Sequence, residues 1–206
     1  HQNNNPKIYH IGESHCLSYA HSQVFIETKP YIVAPKIAFG AKAFHFSTKS
    51  ENRYKAIIKN HLQKIPKASK VFISIGEIDC RASEGIIKAS DKTGKTYNEI
   101  IEETVEGYIK WFLNQNKTNQ HTYYFFNVLA PIYGPQHSKS VNDKVAEVVA
   151  LFNANLLTQT SSSKTNMIDV YRHTVDENCF SNRKFHCDGR HLDSRIIPLI
   201  QDQLNS

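Results

Sequence analysis

Three short segments, far apart in the chain, carry the residue types of serine-based acyl chemistry. They are Gly12-Glu13-Ser14-His15, Gly76-Glu77-Ile78-Asp79 and Asp188-Gly189-Arg190-His191. A serine hydroxyl is a weak nucleophile until a base takes its proton, so it needs an imidazole within hydrogen-bond reach. That imidazole needs an acceptor on its other nitrogen to hold its tautomer and stabilise its charged form. Asp188 and His191 are three residues apart. One turn can therefore bring both side chains to one side, leaving the second ring nitrogen for Ser14. A serine at a helix N-terminus would also offer its backbone N–H to a developing oxyanion. No Gly-x-Ser-x-Gly elbow occurs, which argues against the ordinary α/β-hydrolase layout.

The elements that must position these residues alternate between strand and helix. Residues 7–11 form a short apolar run before Gly12, as a buried first strand would. A helix is expected over 15–26, which would put Ser14 at its start. A second strand is expected over 31–39, interrupted by Pro35 and ending at Gly40. The third is expected over 70–75, the fourth over 122–129 and the fifth over 166–170. Apolar spacing predicts helices over 51–63, 97–114 and 140–157, and a last one over 193–204 that starts or kinks near Pro198. The polar stretches 82–96 and 173–190 read as loops leaving strand ends, where open α/β sheets keep their ligand sites. The pattern predicts the α/β class, as a three-layer α/β/α sandwich with a roughly five-stranded parallel sheet. Residues 7–206 would form one domain, with 1–6 as a disordered or linker N-terminus.

The three segments resemble the sequence blocks of the SGNH (GDSL-like) hydrolases, a superfamily of esterases, lipases and carbohydrate acyl-ester enzymes. The resemblance spans most of the chain but rests on few residues, and it implies the flavodoxin-like SGNH fold. Ser14 matches the nucleophile of the Gly-Asp-Ser block, with Glu13 in place of the usual Asp. Asp188 and His191 match the Asp-x-x-His block, and Gly40 is the best match to the oxyanion-hole glycine. The third block normally reads Gly-x-Asn-Asp, its Asn amide donating to the oxyanion. Ile78 stands there instead and has no side-chain donor. A missing oxyanion donor costs about 100- to 1000-fold in turnover.

Arg81 is the candidate substitute, so the expected oxyanion hole is Ser14, Gly40 and Arg81. Glu13, His15, Glu77 and Asp79 are expected to line the substrate, with an Asp79–Arg81 ion pair shaping the loop. The resemblance implies hydrolysis or transfer of a small acyl group, such as acetyl, on a carbohydrate or polysaccharide hydroxyl. The string from Gly76 to Arg81 is similar to that of bacterial relatives linked to surface-polysaccharide modification, which favours a polysaccharide. Hydrolysis would need no cofactor; a transferase would need an acetyl donor such as acetyl-CoA. Two other readings stay open, a lysophospholipase or lipase on the same triad and a catalytically silent carbohydrate-binding module on the same fold.

Composition narrows the setting. The chain has 206 residues, 40% hydrophobic and 21% charged, ordinary for one globular domain. No run of about 18 apolar residues occurs, so no membrane-spanning helix is expected. The net charge is +6, yet no basic block or basic–aromatic motif points to nucleic acid. Lys55, Lys59, Lys64, Lys67 and Lys70 read as a solvated face. Of the four cysteines, Cys16 and Cys80 are expected as buried thiols, while Cys179 and Cys187 could close a small ring in an oxidising compartment. Cys179, Cys187, His186 and His191 lack paired ligand spacing, so no metal site is expected. The chain opens at His1 without Met, as a trimmed or processed form, or a domain of a larger protein, would. A cytoplasmic location is expected, with a secreted or periplasmic mature form as the other possibility.

Overall fold

The computed structural model describes residues 5–205, so most of the expected linker, residues 1–4, lies outside the described residues. β1 (Lys7–Gly12), β3 (Lys29–Ile37), β4 (Lys70–Ser74), β5 (Thr122–Phe126) and β6 (Asn166–Ile168) pair in parallel. β2 (Gln23–Ile26) adds antiparallel to β3, so the sheet has six strands in the order β2-β3-β1-β4-β5-β6. Pro35 in β3 lies beyond Ile32, where the pairing with β2 stops. That stretch of β3 is an edge, and a missing N–H is tolerated there.

Side-chain alternation divides the core between two faces. On β4, Val71 and Ile73 join one cluster and Phe72 the other. The first face is covered by α2 (Arg53–Lys64), α4 (Tyr97–Gln115) and α5 (Lys139–Ser162), through Ile58, Tyr108, Phe112 and Phe152. The second is covered by α7 (Ile197–Leu204), through Ile197 and Ile200. The result is the expected three-layer α/β/α arrangement. Short helices α1 (Ala43–Ser47), α3 (Ile86–Thr93) and α6 (Tyr171–Thr174) sit in the connections.

Several expectations are corrected. The helix expected over 15–26 is a 3-10 helix, Ser14–Tyr19, followed by β2. Residues 23–26 alternate exposed and buried, and a turn with Glu27 at φ +55° folds them back on β3. A strand that buries Val24 and Ile26 outweighs helix extension. The stretch 82–96 is not all loop, because α3 buries Ile86 and Ile87. Lys55 is not on a solvated face; it is buried, with Nζ donating to the carbonyls of Thr48 and Ser50. Pro198 falls in the first turn of α7, where its missing N–H costs nothing. Cys179 and Cys187 are exposed and unbridged, so they close no ring.

Candidate active site

The site lies at the C-terminal edge of the sheet, where β1, β3 and β4 release their loops together. The Ala38 N–H donates to the Gly12 carbonyl at 2.7 Å, which holds the loops after β3 and β1 side by side. Ser14 opens the 3-10 helix behind the extended N-cap Glu13, whose carboxylate accepts the His15 N–H at 3.2 Å. Ser14 therefore has one of the N–H groups that a helix start leaves without an internal partner.

His191 reaches Ser14 from the far end of the chain. Its Nε2 lies 2.9 Å from Ser14 Oγ, and its Nδ1 lies 2.7 Å from Asp188 Oδ2. The other Asp188 oxygen accepts the N–H groups of Arg190 and His191, each at 2.7 Å. These backbone bonds and the His191 ring hold the Asp188 carboxyl well below the usual carboxylate range. The loop is shaped by a bridge between His186 and Leu192 and by a 2.9 Å bond from the Cys187 N–H to the His191 carbonyl. Buried Leu192 and Ile196 anchor it to the core. The three residues read from sequence as nucleophile, base and orienter thus form one continuous hydrogen-bonded chain.

A second layer of charge lies against this chain. His15 is 6% exposed, and its ring centroid is 4.7 Å from that of His191. Its Nε2 lies 3.6 Å from Glu77 Oε2 and 4.0 Å from Glu13 Oε1. Burial opposes the charged form of His15, but the Glu77 and Glu13 carboxylates outweigh it and raise its pKa. Glu77 is in turn clamped by Arg81, through Nη2 at 2.7 Å and Nε at 3.0 Å. Burial would raise Glu77, yet His15 and Arg81 bring it down to about 2. Arg81 Nη1 continues to Glu84 at 3.4 Å, and Lys42 Nζ meets Glu84 at 3.0 Å. Glu84 and Lys42 were missed by sequence reasoning. The i,i+3 spacing of Arg81 and Glu84 was the only local signal.

Two sequence-based assignments change. Asp79 does not pair with Arg81, and its carboxylate is turned to backbone N–H groups. It is buried and accepts the N–H groups of Ala43 (2.7 Å) and Phe44 (3.1 Å), capping the start of α1. Arg81 has three of its donors committed to Glu77 and Glu84, which competes with the proposed oxyanion role. Ile78 is buried and apolar, so this loop supplies no amide side chain. Gly40 lies exposed in the loop after β3 at φ +75°, a conformation glycine adopts without strain. Its N–H makes no hydrogen bond among the described residues. Glu13 is buried, and its Oε2 also lies 3.1 Å from Ser14 Oγ.

A cleft of about 190 Å³ borders the triad loop at Gly189 and Arg190. Glu77, Arg81, Gln136, His137 and His186 also line it. His186 Nδ1 bonds Ser181 Oγ at 2.9 Å, and burial brings the imidazole pKa down to about 4. It therefore meets the cleft neutral.

No protein-family model matches the chain, and none of the curated proteins matches it. Solved structures do. A GDSL-like lipase from Bacteroides thetaiotaomicron is 17% identical, with TM-score 0.63 over 96% of this chain and 85% of its own. A phospholipase A1 from Streptomyces albidoflavus is 9% identical, with TM-score 0.60 over 97% and 99%. An acetyl xylan esterase is 13% identical, with TM-score 0.56 over 96% and 97%. At these identities the likeness is one of fold, and the fold of this chain is that of the GDSL-like hydrolases.

Proposed function

We propose that this protein is a serine ester hydrolase working through an acyl-enzyme on Ser14. The observation that carries the reading is the Ser14–His191–Asp188 chain, with links of 2.9 and 2.7 Å. Ser14 Oγ attacks the ester carbonyl carbon while its proton passes to His191 Nε2. The tetrahedral oxyanion is met by the Ser14 and Gly40 N–H groups. On collapse, the C–O bond to the alcohol breaks and His191 returns the proton to the leaving oxygen. Water, deprotonated by His191, then attacks acyl-Ser14 and releases the acid and the serine. Asp188 holds the ring and balances the imidazolium formed in each half.

We assign the substrate as a small acyl ester, acetyl in the first instance, on a carbohydrate hydroxyl. Gln136, His137, His186 and Arg190 in the cleft offer hydrogen-bonding groups suited to a sugar, and an acetyl xylan esterase shares the fold. If a sugar hydroxyl replaced water in the second half, the same site would transfer acetyl from a donor such as acetyl-CoA. A lipid ester is the second reading, favoured by Leu17, Phe39 and Phe44. These side chains are 48, 68 and 52% exposed, in the segments that follow β1 and β3.

The test is turnover of p-nitrophenyl acetate and octanoate by wild type, Ser14→Ala and His191→Ala, with acetylated xylan and a lysophospholipid as competitors. Both variants are expected to lose about a thousandfold or more, with acetate preferred and the glycan competing. Octanoate preference with lysophospholipid competition would establish the lipid reading. Equal rates in all three proteins would reject catalysis and leave a binding module.

A further inference from the structure

The charged layer beneath the triad has no part in the proton transfers above, and its arrangement is specific. The Ser14 hydroxyl has one proton and two acceptors, His191 Nε2 at 2.9 Å and Glu13 Oε2 at 3.1 Å. A carboxylate that held this proton would leave the serine oriented away from its base. Glu13 is buried, so its charge is not screened by water. Two groups of His15 restrain it. The His15 N–H donates to the oxygen that faces Ser14, and the His15 ring lies 4.0 Å from the other oxygen.

We propose that His15 is a positioning residue of the esterase site. It is a buried cation between the Glu13 and Glu77 carboxylates that restrains Glu13 from taking the serine proton and sets the charge felt by the neighbouring His191 ring. The proposal rests on the esterase reading for its kinetic consequence, whereas the charge state of His15 follows from the carboxylates placed around its ring and does not depend on that reading. The groups facing His15 are Glu13 on its own turn, His10 from β1, Glu77 and Arg81 after β4, and His191 and His186 from the last loop. Glu77 and Glu13 favour the cation; Arg81, His10 and His186 oppose it. His10 is brought down to about 3 by burial and then by His15, and His186 down to about 4 by burial, with His15 and Arg183 adding to it. Both are neutral near pH 7, so the carboxylates prevail. His15 also stands in the chain directly after the nucleophile, so backbone placement and ring charge are set by one residue.

Two measurements test this. The first is ¹⁵N NMR titration of the imidazoles in the whole protein, with the His15 signal assigned by its loss in His15→Gln. His15 should remain imidazolium above the ordinary histidine value of about 6.5, and Glu77→Gln should bring its titration down. The second is the pH profile of kcat/KM for p-nitrophenyl acetate. Removing the cation in His15→Gln eases protonation of the triad base, so the acid limb should move up by about one pH unit. Removing the anion in Glu77→Gln should move it down. Disturbed packing alone would not shift the two variants in opposite directions. A His15 ring that titrates at or below about 6.5 overturns the proposal whatever the enzyme's activity. Acid limbs that stay together in an active, Ser14-dependent enzyme overturn it while leaving the esterase reading intact.

Discussion

Asp79 shows how one residue type reads differently in sequence and in space. Its two carboxylate oxygens receive the Ala43 and Phe44 N–H groups, so it fastens α1 to the loop after β4. Burial raises its pKa to about 6 against the pull of those N–H groups and Lys42. In the unfolded chain it titrates near about 3.9. Between these values the folded protein holds a proton that the unfolded chain has lost. This group's contribution is therefore fully present below about pH 4 and declines as pH rises through about 6. Asp79→Ala leaves two N–H groups without their acceptor and should cost about 1–3 kcal/mol. Urea midpoints should show that deficit largest near pH 4 and smaller at pH 7. A deficit that grew with pH would contradict the assignment. At the triad, Asp188→Asn keeps the shape but offers the wrong hydrogen-bonding group to His191. Turnover should fall by roughly a thousandfold or more with little change in melting temperature.

Among the elements, the contact between α1 and α4 governs how the site is held. Gly107 lies inside α4, where alanine ordinarily stabilises a helix by about 0.5–1 kcal/mol. Here a Cβ would meet the Ser47 Cα of α1 at 2.6 Å. Overpacking of this kind costs about 1–3 kcal/mol, which reverses the sign. Gly107→Ala should lower the melting temperature and, by displacing α1 and the Gly40 loop, lower kcat as well. A melting temperature that rose would mean that α1 yields without cost. The elements legible in the sequence were those with a local signature. The α4 helix announced itself through its apolar stripe, and β4 through Val71, Phe72 and Ile73. The segment 15–26 was misread because helix and strand both suit its short apolar runs. The decision came from a partner, the start of β3, that no local window contains.

At the scale of the whole molecule, the four thiols report the core directly. Cys16 and Cys80 are buried, and burial pushes Cys16 up to about 12; Cys179 and Cys187 are exposed. A thiol reagent at pH 8 should therefore modify two groups quickly in the folded protein and all four after unfolding. Four fast groups in the native state would contradict the packing around the nucleophile turn. Among the described residues no helix is long and apolar enough to cross a membrane.

The chain's own order of residues determined the layered α/β class and the three segments that meet at the sheet edge. Both follow from local apolar periodicity and from the loops that parallel strands must release at one end. Tertiary structure alone decided which charges meet. Arg81 turned to Glu77 and away from Asp79, Lys55 went inward, and His15 came to lie between two carboxylates against His191. Ion pairs depend on through-space distance and on the water excluded around them, and a linear sequence specifies neither until the chain has packed.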